Sequence, residues 1–128
     1  MTPEEDLFDR LKYNVVIKDD GTRLYFDEYG SLHRDDGPAK ILPSGVMHWL
    51  RHGVLHRTDG PAVFDPQSLA EEYWVNGELH RTDGPAIRTP DGSLHWFIHN
   101  QKHREDGPAI IYADGTEIWY RYGLWRRA

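Results

Sequence analysis

His33-Arg34-Asp35-Asp36-Gly37-Pro38-Ala39 recurs three times in this 128-residue chain, as His56 to Ala62, His80 to Ala86 and His103 to Ala109. The four copies start 23, 24 and 23 residues apart, and self-similarity at a fixed period of about 20–50 residues marks a repeat array. Each copy carries turn chemistry. Asp bonds nearby backbone, Gly adopts positive φ without a Cβ clash, and Pro has its φ fixed. Asp-Gly-Pro therefore makes a stereotyped corner and feeds the next strand at its first residue, where a missing N–H is tolerated.

Working outward, each corner opens a short apolar segment: Ala39 to Leu42, Ala62 to Asp65, Ala86 to Thr89 and Ala109 to Tyr112, with Val15 to Lys18 as a fifth. Tight-turn signals follow at Asp20-Gly21, Ser44-Gly45, Asp91-Gly92 and Asp114-Gly115, with a longer Pro66 to Ala70 in the third unit. The longer segments are Arg23 to Tyr29, Val46 to His52, Glu71 to Asn76, Ser93 to His99 and Thr116 to Tyr122. Their length and their aromatic and branched content predict strands. The expected fold is all-β: an elongated antiparallel sheet of ten strands in five hairpins, rising about 10 Å per repeat. Before it, Thr2 as N-cap, Pro3 and the box residue Glu5 predict a helix over residues 2–12, with Leu7, Phe8 and Leu11 on one face to cap the open end of the array. Residues 1–13 then form a capping helix, and 14–128 the repeat domain.

The pattern Gly-x-x-x-aromatic-x-x-x-Gly, as in Gly45 to Trp49 with Gly53 and again at Gly92 to Trp96, resembles the MORN repeat and its bacterial variant. The His-Arg-x-Asp-Gly-Pro-Ala link departs from that family's small-residue link and is similar to repeats of large bacteriophages and some bacteria. The resemblance implies an antiparallel β array used for protein or lipid contacts, with proposed antitoxins among bacterial members. Because the link differs, lipid binding is not carried over.

Aligning the units on Gly30, Gly53, Gly77, Asn100 and Gly123 places an aromatic four residues earlier in each, namely Phe26, Trp49, Tyr73, Trp96 and Trp119. A position aromatic in every unit reads as the stacked core. The opposite pleat varies from unit to unit: Tyr25, Asp27 and Tyr29; His48, Leu50 and His52; Glu72, Trp74 and Asn76; His95, Phe97 and His99; Ile118, Tyr120 and Tyr122. Variation on a repeated scaffold is where specificity resides. The expected partner-binding set is Tyr25, Tyr29, His48, His52, Glu72, Trp74, His95, Phe97, His99, Tyr120 and Tyr122. The alternative is that the sheet curls shut and this face becomes a second core.

Arg34, Arg57, Arg81 and Arg104, each two residues before an Asp, read either as ion pairs that fix the corners or as a row gripping an anionic, nucleotide-like ligand. Metal chelation is not expected. His48 and His52, or His95 and His99, lie about 13 Å apart along a strand, the link histidines about 10 Å apart, and zinc ligands sit about 2.1 Å from their ion. Catalysis has little support: there is no cysteine, phosphate loop or nucleophile elbow, and Glu72 with His48 or His95 is the one acid–base grouping to be assembled, a weak hydrolase candidate. The last unit ends Leu124-Trp125-Arg126-Arg127-Ala128, an edge whose arginines either block strand pairing or mark a docking or homodimer surface.

The balance of 21 acidic against 15 basic residues, a formal charge of -6, argues against nucleic acid as a partner. The acidic N-terminus lacks signal-peptide character, and no apolar run reaches the length of a membrane span. With zero cysteines this is compatible with a cytoplasmic protein, in the host cytoplasm if phage-encoded. The reading is a cofactor-free, non-enzymatic module that docks on another protein and inhibits or scaffolds it.

Overall fold

The computed structural model describes residues 2–128, with the side chains of Glu5, Asp6, Phe8, Asp9 and Leu11 outside that description. The architecture is all-β: seventeen short strands follow one helix, Pro3–Lys12, among the described residues. Eleven strands form one antiparallel sheet. Leu7 stands 60% exposed on the helix, away from the shared buried face expected of it; the expectation for Phe8 and Leu11 falls on side chains outside the description.

The strand count corrects the expected ten. Each long segment of the interior units splits at its aromatic residue, because its two halves have different partners. In the second unit Met47–His48 pairs with Lys40–Ile41 and Val63–Phe64 inside the large sheet. After Trp49, Leu50–Arg51 pairs instead with Val54–Leu55. Trp74–Val75 with Glu78–Leu79, and Phe97–Ile98 with Gln101–Lys102, repeat that two-stranded ribbon. In the last unit Glu117–Arg121 runs unbroken, pairing with Ile110–Ile111 and then with Leu124–Arg126.

The ribbons close through two-residue turns in which both central residues are left-handed, as type I′ geometry requires: His52 and Gly53, Asn76 and Gly77, His99 and Asn100, Tyr122 and Gly123, with φ between 45 and 81°. The residues just before His56, His80 and His103 are therefore strands, which the sequence reading passed over; Asn76-Gly77 was its clearest signal. The other turns follow the expected chemistry, with Gly21, Gly45, Gly92 and Gly115 at φ of 90–95°.

There is no thick interior. The largest fully buried side chain is Tyr25, packed with Tyr13 and Ala39, and Ala39, Ala62, Ala86 and Ala109 are fully buried beside the aromatic of each unit. The Tyr25, Trp49, Tyr73 and Trp96 amides donate to Ala39, Ala62, Ala86 and Ala109 carbonyls at 2.7–2.8 Å. Each of these Ala residues is fully buried, which accounts for a small side chain at that place in all four links. No helix is long and apolar enough to cross a membrane.

Candidate functional site

The repeated link is a clamp for its own unit. The guanidinium of Arg34, Arg57, Arg81 and Arg104 lies 3.9–4.1 Å from the ring centre of Tyr25, Trp49, Tyr73 and Trp96 respectively. Arg57 Nε donates to Asp59 Oδ1 at 2.8 Å and Nη1 to the Pro61 carbonyl at 3.1 Å, and the first and third links repeat both bonds. In the fourth, Arg104 reaches Pro108 O at 3.2 Å and Asp106 at 3.4 Å. A Cβ on Gly37, Gly60, Gly84 or Gly107 would meet the Arg Cζ at 2.8–2.9 Å, so glycine makes the room in which the guanidinium lies flat. Gly60→Ala is expected to push Arg57 off Trp49 and lower stability by about 1 kcal/mol, the worth of an exposed cation–π contact, read from urea melts.

Tyr25, not Phe26, is the first-unit counterpart of Trp49, because it takes the Arg34 guanidinium and the Ala39 carbonyl. The first loop holds one extra residue between aromatic and link histidine, and alignment on Gly30 shifted that unit by one. Tyr25 is 0% exposed and so cannot present itself to a partner.

The link histidines hold the next unit. His33, His56, His80 and His103 each accept, at Nδ1, the backbone N–H of His52, Asn76, His99 and Tyr122 at 2.9–3.1 Å. Accepting at Nδ1 requires an unprotonated nitrogen there, hence the Nε2–H tautomer while neutral. His33 and His103 direct Nε2 at Asp35 and Glu105, 3.0 and 2.9 Å away. Burial is the first cause holding His56 and His80 below the ordinary imidazole pKa, joined by the neighbouring Arg51 and His99 side chains respectively.

His52, His99 and Tyr122 therefore leave the proposed partner face. They sit at left-handed turn positions with their rings 4.0–4.1 Å from those of His33, His80 and His103. The stacking and the N–H bond offset the cost of positive φ in residues with a Cβ. Tyr29 lies on the first loop, 82% exposed.

The rest of the variable set does come together. One cross-strand row runs Leu24, Lys40, His48, Val63, Glu72, Ile87, His95, Ile110 and Ile118, and residues directly opposite in antiparallel strands share a face. Two residues on, Trp74, Phe97 and Tyr120 are half-buried and extend that face, while Leu50 packs against the Tyr13, Tyr25 and Ala39 cluster. Trp74 Nε1 donates to Glu72 Oε1 at 2.8 Å. His48, Glu72 and His95 are separated by intervening strands, and Glu72 is engaged by Trp74, so the register does not bring them into one acid–base group. Burial lowers the pKa of His48 and His95. Sequence reasoning missed Lys40, Tyr112 and Lys102. Tyr112 meets the His95 ring edge-on at 6.0 Å and Lys102 Nζ lies 5.0 Å over Tyr120. Period-two alternation through the short strands would have placed Lys40 and Tyr112.

Histidines from different units also meet, which spacing within each set did not anticipate. Ligand atoms of Asp27, His33 and His52 lie within 4.8 Å of one another. The group is held by its own bonds: His52 Nδ1 faces Asp27 Oδ2 at 2.7 Å and His33 Nδ1 accepts the His52 amide. The stacked rings are 19° from parallel and send their in-plane lone pairs side by side rather than at one ion.

Comparison of the chain with protein-family models, curated proteins and solved structures returned no match.

Proposed function

We propose that this chain is a non-enzymatic, MORN-like binding module that docks on another protein through its variable face and inhibits or scaffolds it, as a phage anti-defence inhibitor or a bacterial antitoxin does. The observation that carries this is the half-buried state of Trp74, Phe97 and Tyr120 on a sheet one layer thick. The large aromatic groups beside His48, Glu72 and His95 give this face the aromatic enrichment of an interface core, with Lys40 and Lys102 next to them.

The test is a tagged pull-down from host lysate followed by a double substitution. One protein in stoichiometric amount is expected, and Trp74→Ala with Phe97→Ala together is expected to weaken that complex by at least about a hundredfold, as loss of two aromatic hot spots does, while the circular dichroism spectrum is kept. Retained binding by the double variant contradicts the reading. Unfolding of the variant assigns the two rings to structure instead.

A further inference from the structure

The links leave a second surface, on the face opposite Trp74 and Phe97. Successive corner loops stand apart and enclose a line of grooves. One lies between the first and second loops over Trp49, about 460 Å³. The next lies between the second and third over Tyr73 and Val75, about 460 Å³. A third lies between the third and fourth over Trp96 and Ile98, about 730 Å³. The floor is apolar in the second and third, Leu50 and Arg51 stand beside Trp49 in the first, and the walls repeat.

The sign of the walls is the reverse of what the arginine ladder suggested. The guanidinium groups lie flat on rings and bond inward, with side chains only 13–26% exposed, whereas Asp59, Asp83 and Asp106 are 83–88% exposed. Asp35 and Glu105 add carboxylates without a second arginine in the link. A ligand in the second and third grooves meets aromatic and aliphatic carbon below and carboxylates at the rim. An anion has little reason to bind there; a cation on an apolar stem fits.

The spacing selects the form of that ligand. Consecutive grooves are two strands apart, about 9.6 Å. A polyproline II helix advances about 9.3 Å per three-residue turn, and proline-rich segments in that form dock on aromatic-lined grooves. We propose that the second and third grooves form a docking track for a cationic polypeptide segment in polyproline II conformation, with Arg or Lys at every third residue pairing with Asp59, Asp83 and Asp106 in turn and prolines resting on Tyr73 and Trp96. This track is independent of the variable face.

The test uses the full chain and labelled peptides of four Pro-Pro-Arg triplets, read by fluorescence anisotropy. Saturable binding is expected. It should be at least about tenfold tighter than that of a peptide of equal length and charge with arginine at every second residue, and weaker in high salt. Peptides of Pro-Pro-Glu should not bind. Asp59→Asn with Asp83→Asn is expected to weaken binding about tenfold. Because that change also touches the Arg57 and Arg81 clamps, Val75→Lys supplies a second probe: it puts a cation on the groove floor, leaves the clamps intact and should weaken binding similarly. Trp74→Ala with Phe97→Ala should leave peptide affinity unchanged. No saturable binding, indifference to arginine period, or affinity unmoved by Val75→Lys overturns the proposal.

Discussion

Tyr25→Ala is expected to lower the unfolding free energy by about 3–5 kcal/mol, the range for deleting a buried aromatic. The ring is fully buried, lies edge-on to Tyr13 at 5.8 Å and 88°, and carries the Arg34 guanidinium on its face at 4.1 Å. Truncation leaves a cavity against Ala39 and strips Arg34 of its platform. The neighbouring substitution is the control. Phe26→Ala removes a half-buried ring that takes no guanidinium and should cost about 1 kcal/mol. Denaturant midpoints of the two variants decide between the alignments: a larger loss for Phe26→Ala would return the core stripe to the position that counting back from Gly30 assigns it.

The second large effect is on pH dependence. His56 and His80 have native pKa values below the unfolded 6.5, and both accept a backbone N–H at the nitrogen that protonation would fill. In this range the folded chain binds fewer protons than the unfolded one. Stability is therefore fully present above about pH 6.5 and is lost as pH falls through the lowered native values. Each ring forfeits a hydrogen bond worth on the order of 1 kcal/mol, so about 2 kcal/mol separates urea melts at pH 7.5 from those at pH 5. His48 and His95, lowered by burial, act in the same direction. Asp59 and Asp83, held below the ordinary carboxyl value by their arginine partners, lose their contribution only at much lower pH, so the windows do not overlap. His56→Asn with His80→Asn places a non-titrating amide oxygen near the Nδ1 position and should flatten the slope, leaving the part due to His48 and His95. An unchanged slope in that variant means the link rings are not the acid-sensitive anchors.

Much of this follows from local rules, and those rules sit in the chain itself. The period of 23–24 residues, the Asp-Gly-Pro corners and the glycine turns follow from backbone sterics, because a left-handed or fixed φ needs its residue wherever the chain goes. Alternation likewise predicts Glu72 and Trp74 on one face, where the Trp74 Nε1–Glu72 Oε1 bond joins them, since side chains two apart in extended backbone point the same way. These features, and the all-β class, could be read without coordinates.

What only the tertiary structure decided depends on contacts between units. One extra residue in the first loop exchanges Tyr25 and Phe26, because a one-residue slip turns every side chain to the other face, and only the Ala39 and Arg34 contacts fix the register. The acceptor role of His33, His56, His80 and His103 is invisible in sequence, since their donors lie 19 or 20 residues away at turns of the following unit. The exposed sign of the link was likewise open: every copy pairs one Arg with an Asp two residues on, and stacking against Tyr25, Trp49, Tyr73 and Trp96 buries the guanidinium while leaving the carboxylate in water. A charge's identity belongs to the sequence, but which charge meets solvent is decided by packing.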